Sequence, residues 1–182
     1  MANRPLPPVG VLRQLLRYEP DTGKLFWLPR PIEMFATKRA WSTWNSRYAG
    51  EEALASEKGG YRYGSINGGN VYAHRAAWAL MMGEWPAGQI DHINHTPGDN
   101  RWNNLRSVTL EENRRNMSMM RSNTSGVCGV SWHSQNGKWC AFIGDRKRVH
   151  LGYFNTIEDA AAARHTAEES FGFHPNHGKT AA

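Results

Sequence analysis

Cysteine is scarce in this sequence, since Cys128 and Cys140 are the only two among 182 residues. Two thiols without a CxxC spacing cannot build a four-cysteine zinc site, so we expect no structural zinc and a reducing compartment. Long apolar runs are missing as well: nowhere do 18 apolar residues follow one another, and the first residues carry no apolar core of signal-peptide length. We therefore expect a cytoplasmic protein without a membrane partner.

Acidic residues are sparse in two parts of the chain. Residues 1–50 hold eight Lys or Arg against three acids, and residues 101–150 hold nine against three, within a net charge of +6. A polyanion would contact these two blocks first, and such binding weakens as salt is added. The apolar fraction of 40%, with eight Trp, is enough for packed cores and argues against general disorder.

The first third of the chain predicts a basic segment of mixed structure. Residues 11–18 carry Leu and Val at helical spacing, and residues 24–28 alternate as a strand does. Residues 30–46 mix Pro, Trp and basic residues without a period, so we predict a loop there that packs its aromatic side chains and touches nucleic acid backbone.

A hairpin and a helix are predicted next. Residues 61–66 and 70–73 read as strands on either side of an Asn-Gly-Gly turn. Residues 74–82 then predict a helix that ends at Gly83. For His74, at the start of this helix, a packed structural role is favoured over a catalytic one.

The stretch from Gln89 to Asn116 carries the residue types of phosphodiester chemistry. Asp91 and His92 are adjacent, and side chains of neighbouring strand residues leave on opposite faces, so one can face a cation and the other a water. A phosphodiester repels hydroxide, so its hydrolysis needs a cation on the phosphate and a base that works near pH 7. Asp91 and Asn113 offer the oxygen atoms that Mg²⁺ prefers.

Two local patterns place the amides of this stretch. Thr109 followed by Glu112 is a capping box, so Asn113 lies near the end of the first turn of a helix. Asn104 is the residue predicted to hold the second ring nitrogen of His92, because a catalytic imidazole needs a partner that fixes its tautomer. The alternative, that Asp91, Asn104 and Asn113 are ordinary turn and cap residues, is also open.

This stretch resembles the HNH endonucleases of the phage and intron-homing branch. The shared motifs are His74-Arg75, Asp91-His92-Ile93-Asn94, Asn103-Asn104-Leu105 and Glu112-Asn113. The resemblance implies a ββα-metal (His-Me finger) nuclease core, with His92 as general base and Asn104 as its support. It implies Asp91 and Asn113 as metal ligands, and an Asn where many members have His favours Mg²⁺, with Mn²⁺ as a substitute.

The C-terminal part predicts three short strands, at 129–133, 138–143 and 149–153, and a helix that starts at Thr156 and ends near Phe171. Residues from Ser125 to Phe173 resemble the AP2 DNA-binding domain, through the stretches SGVCGVSW, GKWCAFI and LGYFNTIEDAAAA. In that family the exposed sheet face enters the major groove. The implied DNA-contacting residues are Trp132, His133, Lys138, Trp139, Arg146 and Arg148. The alternative is that Trp132 and Trp139 form a cross-strand core pair.

Between these parts, residues 117–126 look like a polar linker. The segment is predicted to lie along a phosphate backbone, because positive charge is supplied by Arg114, Arg115 and Arg121.

Together these patterns predict an α+β protein of three parts. They are a β-rich basic segment (1–55), an HNH nuclease domain (56–120), and a linker with an AP2-like domain (121–182) made of a three-stranded sheet and one helix. The expected activity is hydrolysis of duplex DNA to 5′-phosphate and 3′-hydroxyl ends, in a phage or mobile-element protein of the host cytoplasm. One site per chain nicks DNA, and a homodimer would cut both strands. One alternative is an AP2-like regulator with an inactive nuclease module. Another is a module that binds or cleaves RNA.

Overall fold

The computed structural model describes residues 5–144 and 148–179. The chain forms two compact units, Met1–Ser107 and Val108–Ala182. The three-part division at residues 55 and 120 stays a prediction about domains. In the structure, the N-terminal segment packs within the same unit as the strand that carries Asp91 and His92.

The first unit combines short helices with small sheets. In chain order its elements are α1 (Val9–Leu15), β1 (Leu16–Glu19), β2 (Lys24–Trp27), α2 (Lys38–Tyr48), β3 (Glu52–Ala53), β4 (Ser56–Lys58), β5 (Tyr61–Ile66), β6 (Gly69–Tyr72), α3 (Ala73–Met82), β7 (Gln89–His92) and β8 (Leu105–Val108), the last of which ends at the boundary between units. The strands form three sheets, ordered β1-β2-β3, β4-β5-β6 and β7-β8. The structure is therefore of the mixed helix and sheet type that the sequence predicts.

The hairpin β5-β6 forms where the sequence predicts it. Ile66 pairs with Gly69, so Asn67 and Gly68 are the two turn residues, with φ of 51° and 76°. A two-residue turn with both φ values positive matches the twist of the strands, and Asn-Gly adopts it at low cost. Helix α3 also ends as predicted, at Gly83 in the left-handed conformation.

Two apolar clusters hold the first unit together. The larger one packs α1 against α3 and the strands, and its most buried members are Leu12, Leu15, Leu25, Ile66, Val71 and Ala76. The smaller one joins Ala77 of α3 to Ile90 of β7 and Leu105 of β8. Because Ile90 is next to Asp91, this second cluster positions the part of β7 that carries Asp91 against α3.

Two predictions in the N-terminal segment are wrong. The helix predicted to run to Tyr18 ends at Leu15, because Leu16 begins β1, which pairs with β2. Residues predicted as a loop at 30–46 contain most of α2. The helix is stabilised by aromatic packing around Trp44 rather than by a regular apolar stripe, and a search for periodicity misses such packing.

The second unit is a three-stranded antiparallel sheet with a helix packed on it. Its elements are α4 (Leu110–Arg114), β9 (Val130–His133), β10 (Lys138–Ile143), β11 (Val149–Phe154) and α5 (Ile157–Ser170), with β10 in the middle of the sheet. Val130, Ala141 and Ala160 form the buried centre between sheet and helix. The strands and the helix lie where the sequence predicts them, and the AP2 likeness stays a prediction.

The segment predicted as a linker is hydrogen-bonded within the second unit. The side chain of Asn123 accepts from the Gly126 amide at 2.7 Å and donates to the Val127 carbonyl at 3.0 Å. The hydroxyl of Ser125 donates to the Val130 carbonyl at 2.7 Å, which ties the segment to β9. Its small polar residues therefore build a turn rather than a free connection.

Candidate active site

Strand β7 presents Asp91 and His92 in a buried setting. As the sequence predicts, the two residues are adjacent in an extended strand, so their side chains leave on opposite faces. Asp91 is 8% exposed and His92 is 5% exposed. A carboxylate and an imidazole are seldom this buried unless each has a polar partner.

The partner of His92 is Asn100. The Nε2 atom of His92 lies 3.1 Å from Oδ1 of Asn100, while Nδ2 of Asn100 donates to the Gly98 carbonyl at 3.4 Å. With the amide oriented in this way, Oδ1 is an acceptor and Nε2 of the neutral ring is the donor. The tautomer is thereby fixed, and Nδ1 is left with the lone pair that a general base needs.

Asn104 does not contact the ring of His92, which corrects the prediction that it braces this imidazole. Its Oδ1 accepts from the Asn94 amide at 2.9 Å, and its Nδ2 donates to the Asp99 carbonyl at 2.8 Å. The Asn94 side chain also donates to the Asp99 carboxylate at 2.7 Å. Asn104 therefore shapes the loop that carries Asn100, and its effect on His92 passes through that loop.

Asp91 forms an ion pair with Arg106 of the neighbouring strand β8. Nε and one terminal nitrogen of Arg106 lie 2.8 Å and 2.7 Å from Oδ2 of the carboxylate. These two donors give the buried carboxylate the polar partners that its burial requires. No sequence pattern indicates this pair, because Arg106 is one of several basic residues in this part of the chain.

The donor set of this site fits a hard cation better than zinc. Within residues 5–144 and 148–179, no group of three or more His, Cys, Asp or Glu side chains is placed to hold a metal ion. Mg²⁺ needs no such group, because it binds through one or two carboxylates and keeps several waters. Asp91 is a suitable single carboxylate, and zinc would require more nitrogen or sulfur ligands.

Burial controls the protonation of the two neighbouring histidines. Burial lowers the pKa of His92, against a smaller opposite effect of its hydrogen bond to Asn100 and of the charges of Asp91 and Asp99. Burial also lowers the pKa of His74 to about 3, with the charges of His92 and Arg75 acting in the same direction. Both rings are therefore neutral at pH 7, and His92 is in the form that can accept a proton.

His74 lies against His92 within a group of aromatic rings. Its ring is stacked on Tyr72 at 5.5 Å between centroids and meets His92 edge to face at 5.2 Å. Tyr61 contacts both imidazoles, at 5.5 Å from His74 and 5.9 Å from His92. The packed role predicted for His74 agrees with its burial, and the sequence did not reveal that the residue it packs against is His92.

The hairpin β1-β2 supports the loop of Asn100. The Tyr18 hydroxyl donates to the Asn100 carbonyl at 2.7 Å, and the Trp102 amide donates to the Pro20 carbonyl at 2.9 Å. At Gly23, a Cβ atom would lie 2.5 Å from backbone atoms of Asn100 and Arg101. The N-terminal segment thus positions the residue that holds His92.

The substitution Asn100→Ala should lower the activity that depends on His92 by roughly 10- to 100-fold, the effect typical of losing a partner that orients a functional imidazole. The control is Asn100→Asp, which keeps an oxygen acceptor for Nε2 and adds a charge that raises the pKa of His92. Single-turnover rates at several pH values are the measurement. A rate for Asn100→Ala within about twofold of the wild-type rate would contradict this role.

Acid should destabilise the first unit because of His74. The pKa of His74 is about 3 in the folded chain and 6.5 for the unperturbed group, so the unfolded state binds more protons between these values. Stability is then unaffected above pH 6.5 and falls as the pH decreases below it, by roughly 2–3 kcal/mol at pH 4.

Urea unfolding from pH 7 to pH 4 measures this effect. The matched variant His74→Phe keeps an aromatic ring and cannot titrate, so its stability should decline less steeply with acid. Equal slopes for the two proteins would show that His74 is not the group responsible.

Asn113 lies in the second unit, on the helix α4. The predicted capping box is present: the Thr109 hydroxyl accepts from the Glu112 amide at 3.2 Å, and the Glu112 carboxylate accepts from the Thr109 amide at 2.8 Å. Asn113 is half-buried near the end of the first turn, as predicted. Its role as a metal ligand stays a prediction.

The residues predicted to contact DNA have different settings within the second unit. Lys138, Arg121 and Arg148 are exposed, and Trp132 is 53% exposed on the edge strand β9. The predicted Trp pair is observed, since Trp132 lies opposite Trp139 with the rings edge to face at 5.4 Å. Trp139 packs on the core below. Contact of either Trp with DNA stays a prediction. Arg146 lies outside the described residues.

Three of these predicted contact residues are engaged within their own unit. The guanidinium of Arg115 forms an ion pair with Glu111 at 2.6 Å, and its carbonyl accepts from the His174 amide. The ring of His133 packs on Tyr153 at 5.2 Å. Arg114 is half-buried at the end of α4.

Comparison with known proteins identifies one part of the chain. Residues 71–115 match the model of the HNH endonuclease family, described as HNH endonuclease. This range contains His74, Asp91, His92, Asn104 and Asn113.

A phage protein is similar to part of the chain. Protein 3.8 of Escherichia phage T7 is 39% identical over 78 residues, which are 42% of this chain and 64% of the phage protein. The chain thus covers a little less than two thirds of that relative. No solved structure matches the chain. Within the described residues, no helix has the length and apolar character needed to cross a lipid bilayer.

Proposed function

We propose that this protein is a metal-dependent DNA endonuclease of the HNH type that acts in the cytoplasm of a phage-infected host cell. The observation that carries the proposal is the buried pair on β7: His92, held at Nε2 by Asn100, beside Asp91, which is paired with Arg106. This pair lies inside the range that matches the HNH family. The strands β7 and β8, followed in sequence by α4, are the order of elements expected for a ββα-metal core.

His92 performs the proton transfer in this proposal. Its Nδ1 atom accepts a proton from the water that attacks phosphorus, and the resulting positive charge is stabilised by Asp91 and Asp99, whose charges favour the protonated ring. Asn100 keeps the ring in one tautomer and one orientation throughout. Because burial lowers its pKa, His92 remains ready to accept a proton even slightly below neutral pH.

Asp91 is the residue that would hold the cation. A bound Mg²⁺, or Mn²⁺ in its place, would supply positive charge to neutralise the phosphate, and we expect 5′-phosphate and 3′-hydroxyl products. Asn113 remains the predicted second oxygen donor. Arg106 donates to Oδ2 of the same Asp91 carboxylate.

The second unit would supply further contacts to duplex DNA in this proposal. Support comes from the exposed side chains of Trp132, Lys138 and Arg148 on one small sheet, together with Arg121. A chain with one site nicks DNA, and a homodimer would cut both strands.

Plasmid relaxation tests the proposal directly. Supercoiled plasmid with the protein and Mg²⁺ should yield nicked or linear DNA, and EDTA in place of Mg²⁺ should prevent it. Labelled ends distinguish 5′-phosphate from 3′-phosphate products. Cleavage that is undiminished in EDTA would contradict the mechanism, and duplex binding without any cleavage would favour the alternative of a DNA-binding regulator.

A further inference from the structure

We infer that the exposed face of α2 binds the phosphates of duplex DNA, an inference that rests on the proposed DNA substrate. Helix α2 lies in the first unit and outside the range that matches the HNH family. None of its 11 residues is fully buried. Burial in a core therefore does not explain the residues of this helix. Its two faces differ in composition and in contacts.

The inner face of α2 is occupied by contacts to one backbone segment. Asn45 accepts from the Arg30 amide at 2.8 Å and donates to the Arg30 carbonyl at 2.9 Å, and the Trp41 indole donates to the same carbonyl at 2.8 Å. The Thr37 hydroxyl caps the helix by accepting from the Ala40 amide at 3.1 Å. These bonds fix the orientation of the helix on its own unit.

Aromatic packing completes the inner face. The ring of Trp44 meets Trp27 at 5.9 Å and Tyr48 at 5.4 Å between centroids. The guanidinium of Arg30 lies over Trp44 at 3.9 Å and near Trp27 at 5.1 Å. The half-buried Arg30 thereby helps to hold the helix in place.

The outer face carries only cations, hydroxyl groups and one alanine. At 100° per residue, these positions other than Lys38 point about 100° to 160° away from Trp41, whereas Lys38 lies about 60° from Trp41, at the edge of this face. All are exposed: Lys38, Arg39, Ala40, Ser42, Thr43, Ser46 and Arg47. Lysine, arginine, serine and threonine side chains are those that donate hydrogen bonds to phosphate oxygens.

This composition differs from that of an ordinary solvated face, which intersperses both signs of charge. The positions four residues after Lys38 and Arg39, where an acid would pair with them, hold Ser42 and Thr43. Within the described parts of the chain, no ion pair neutralises Lys38, Arg39 or Arg47. Arg39 and Arg47, with Thr43 midway between them, thus share one side of the helix without compensation, and Lys38 lies at the edge of that side.

The spacing of the cations suits the charge density of DNA. Arg39 and Arg47 are eight residues apart, about 12 Å along the helix axis and about 80° apart around it. One DNA strand carries a negative charge about every 3.4 Å of its axis, so the face spans several phosphates. The contacts are to the backbone, and we expect them to be independent of base sequence.

The experiment measures DNA affinity without cleavage. His92→Ala serves as the parent protein, in buffer with EDTA, and a duplex oligonucleotide is titrated by fluorescence anisotropy between 50 and 200 mM salt. The test protein adds Lys38→Gln, Arg39→Gln and Arg47→Gln. Each lost phosphate contact should reduce the salt slope by about 0.9, so we expect a slope lower by about two to three and a Kd at least about tenfold higher.

The control protein carries Arg13→Gln, Arg17→Gln and Lys24→Gln instead. These three exposed cations lie in the same unit but outside α2, so the control loses the same net charge. We expect less than about a threefold increase of its Kd, because only charges placed against phosphates release counterions. Thermal unfolding of both triple variants shows whether they are folded, which their exposed positions lead us to expect.

The outcomes separate this inference from the proposed function. Equal Kd values and equal salt slopes for the α2 and control proteins would overturn the inference, and Mg²⁺-dependent plasmid cleavage by the wild-type protein would still stand. Tighter binding of duplex RNA than of duplex DNA in competition would also overturn it. If the wild-type protein cleaves no DNA but the α2 substitutions weaken duplex binding, the α2 surface is supported and the endonuclease proposal is contradicted.

Discussion

His92→Ala is expected to reduce Mg²⁺-dependent plasmid cleavage by about 10³-fold while leaving DNA affinity within about threefold. The buried imidazole is the only base beside Asp91 on β7, and loss of a positioned general base costs roughly 10² to 10⁴ in rate. Affinity is preserved because the ring is 5% exposed and offers little surface to DNA. Single-turnover cleavage and anisotropy titration measure the two quantities separately.

The matched control is His165→Ala in the second unit, where the His165 side chain is 67% exposed and pairs with Glu168. This variant should cleave at the wild-type rate. If His92→Ala retained a tenth or more of the wild-type rate, His92 would not be the base. Loss of DNA affinity together with cleavage would instead indicate a structural role for the ring.

Gly23→Ala should destabilise the protein by roughly 3 kcal/mol or more and impair cleavage as well. Gly23 has φ of 74°, where an L side chain costs about 1–2 kcal/mol, and its Cβ would lie 2.5 Å from backbone atoms of Asn100 and Arg101. Backbone cannot move aside as a flexible side chain does. The loop must therefore shift, and Asn100 shifts with it.

Gly59→Ala separates the two costs. Gly59 also has a positive φ, of 59°, yet no atom lies within 4 Å of its added Cβ. Its substitution should cost only about 1 kcal/mol, the cost of the backbone conformation alone. Urea unfolding and cleavage rates of the two variants are the comparison. Equal decreases in the free energy of unfolding would mean that the close approach of Gly23 to the Asn100 loop does not affect stability.

Several parts of the site follow from residues close together in sequence. The Asn67-Gly68 turn fixes the register of β5 and β6, and the Thr109-Glu112 capping box fixes the start of α4. Each depends on backbone conformations that a few neighbouring residues dictate, so pattern is a sufficient guide. The alternation of Asp91 and His92 on a strand is of the same kind.

The prediction for Asn104 shows where local pattern is insufficient. Asn100 and Asn104 are both amides of one loop, and either could reach an imidazole at position 92. The choice depends on the path of the loop, which Tyr18 and Gly23 help to set from the other end of the unit. The helix α2 was missed for a related reason, because its stability comes from bonds to Arg30 rather than from its own periodicity.

Local sequence patterns were sufficient to predict three features. These are an Asp-His pair on a strand, a capped helix bearing Asn113, and a three-stranded sheet followed by a helix. The side-chain partners are seen only in the folded chain. Asn100 contacts His92, Arg106 pairs with Asp91, and Tyr18 of the β1-β2 hairpin contacts the loop that carries Asn100. The physical reason is range. Turns and caps are set by interactions within a few residues, whereas Tyr18 and Asn100 are 82 residues apart and meet only because the apolar core brings their elements together.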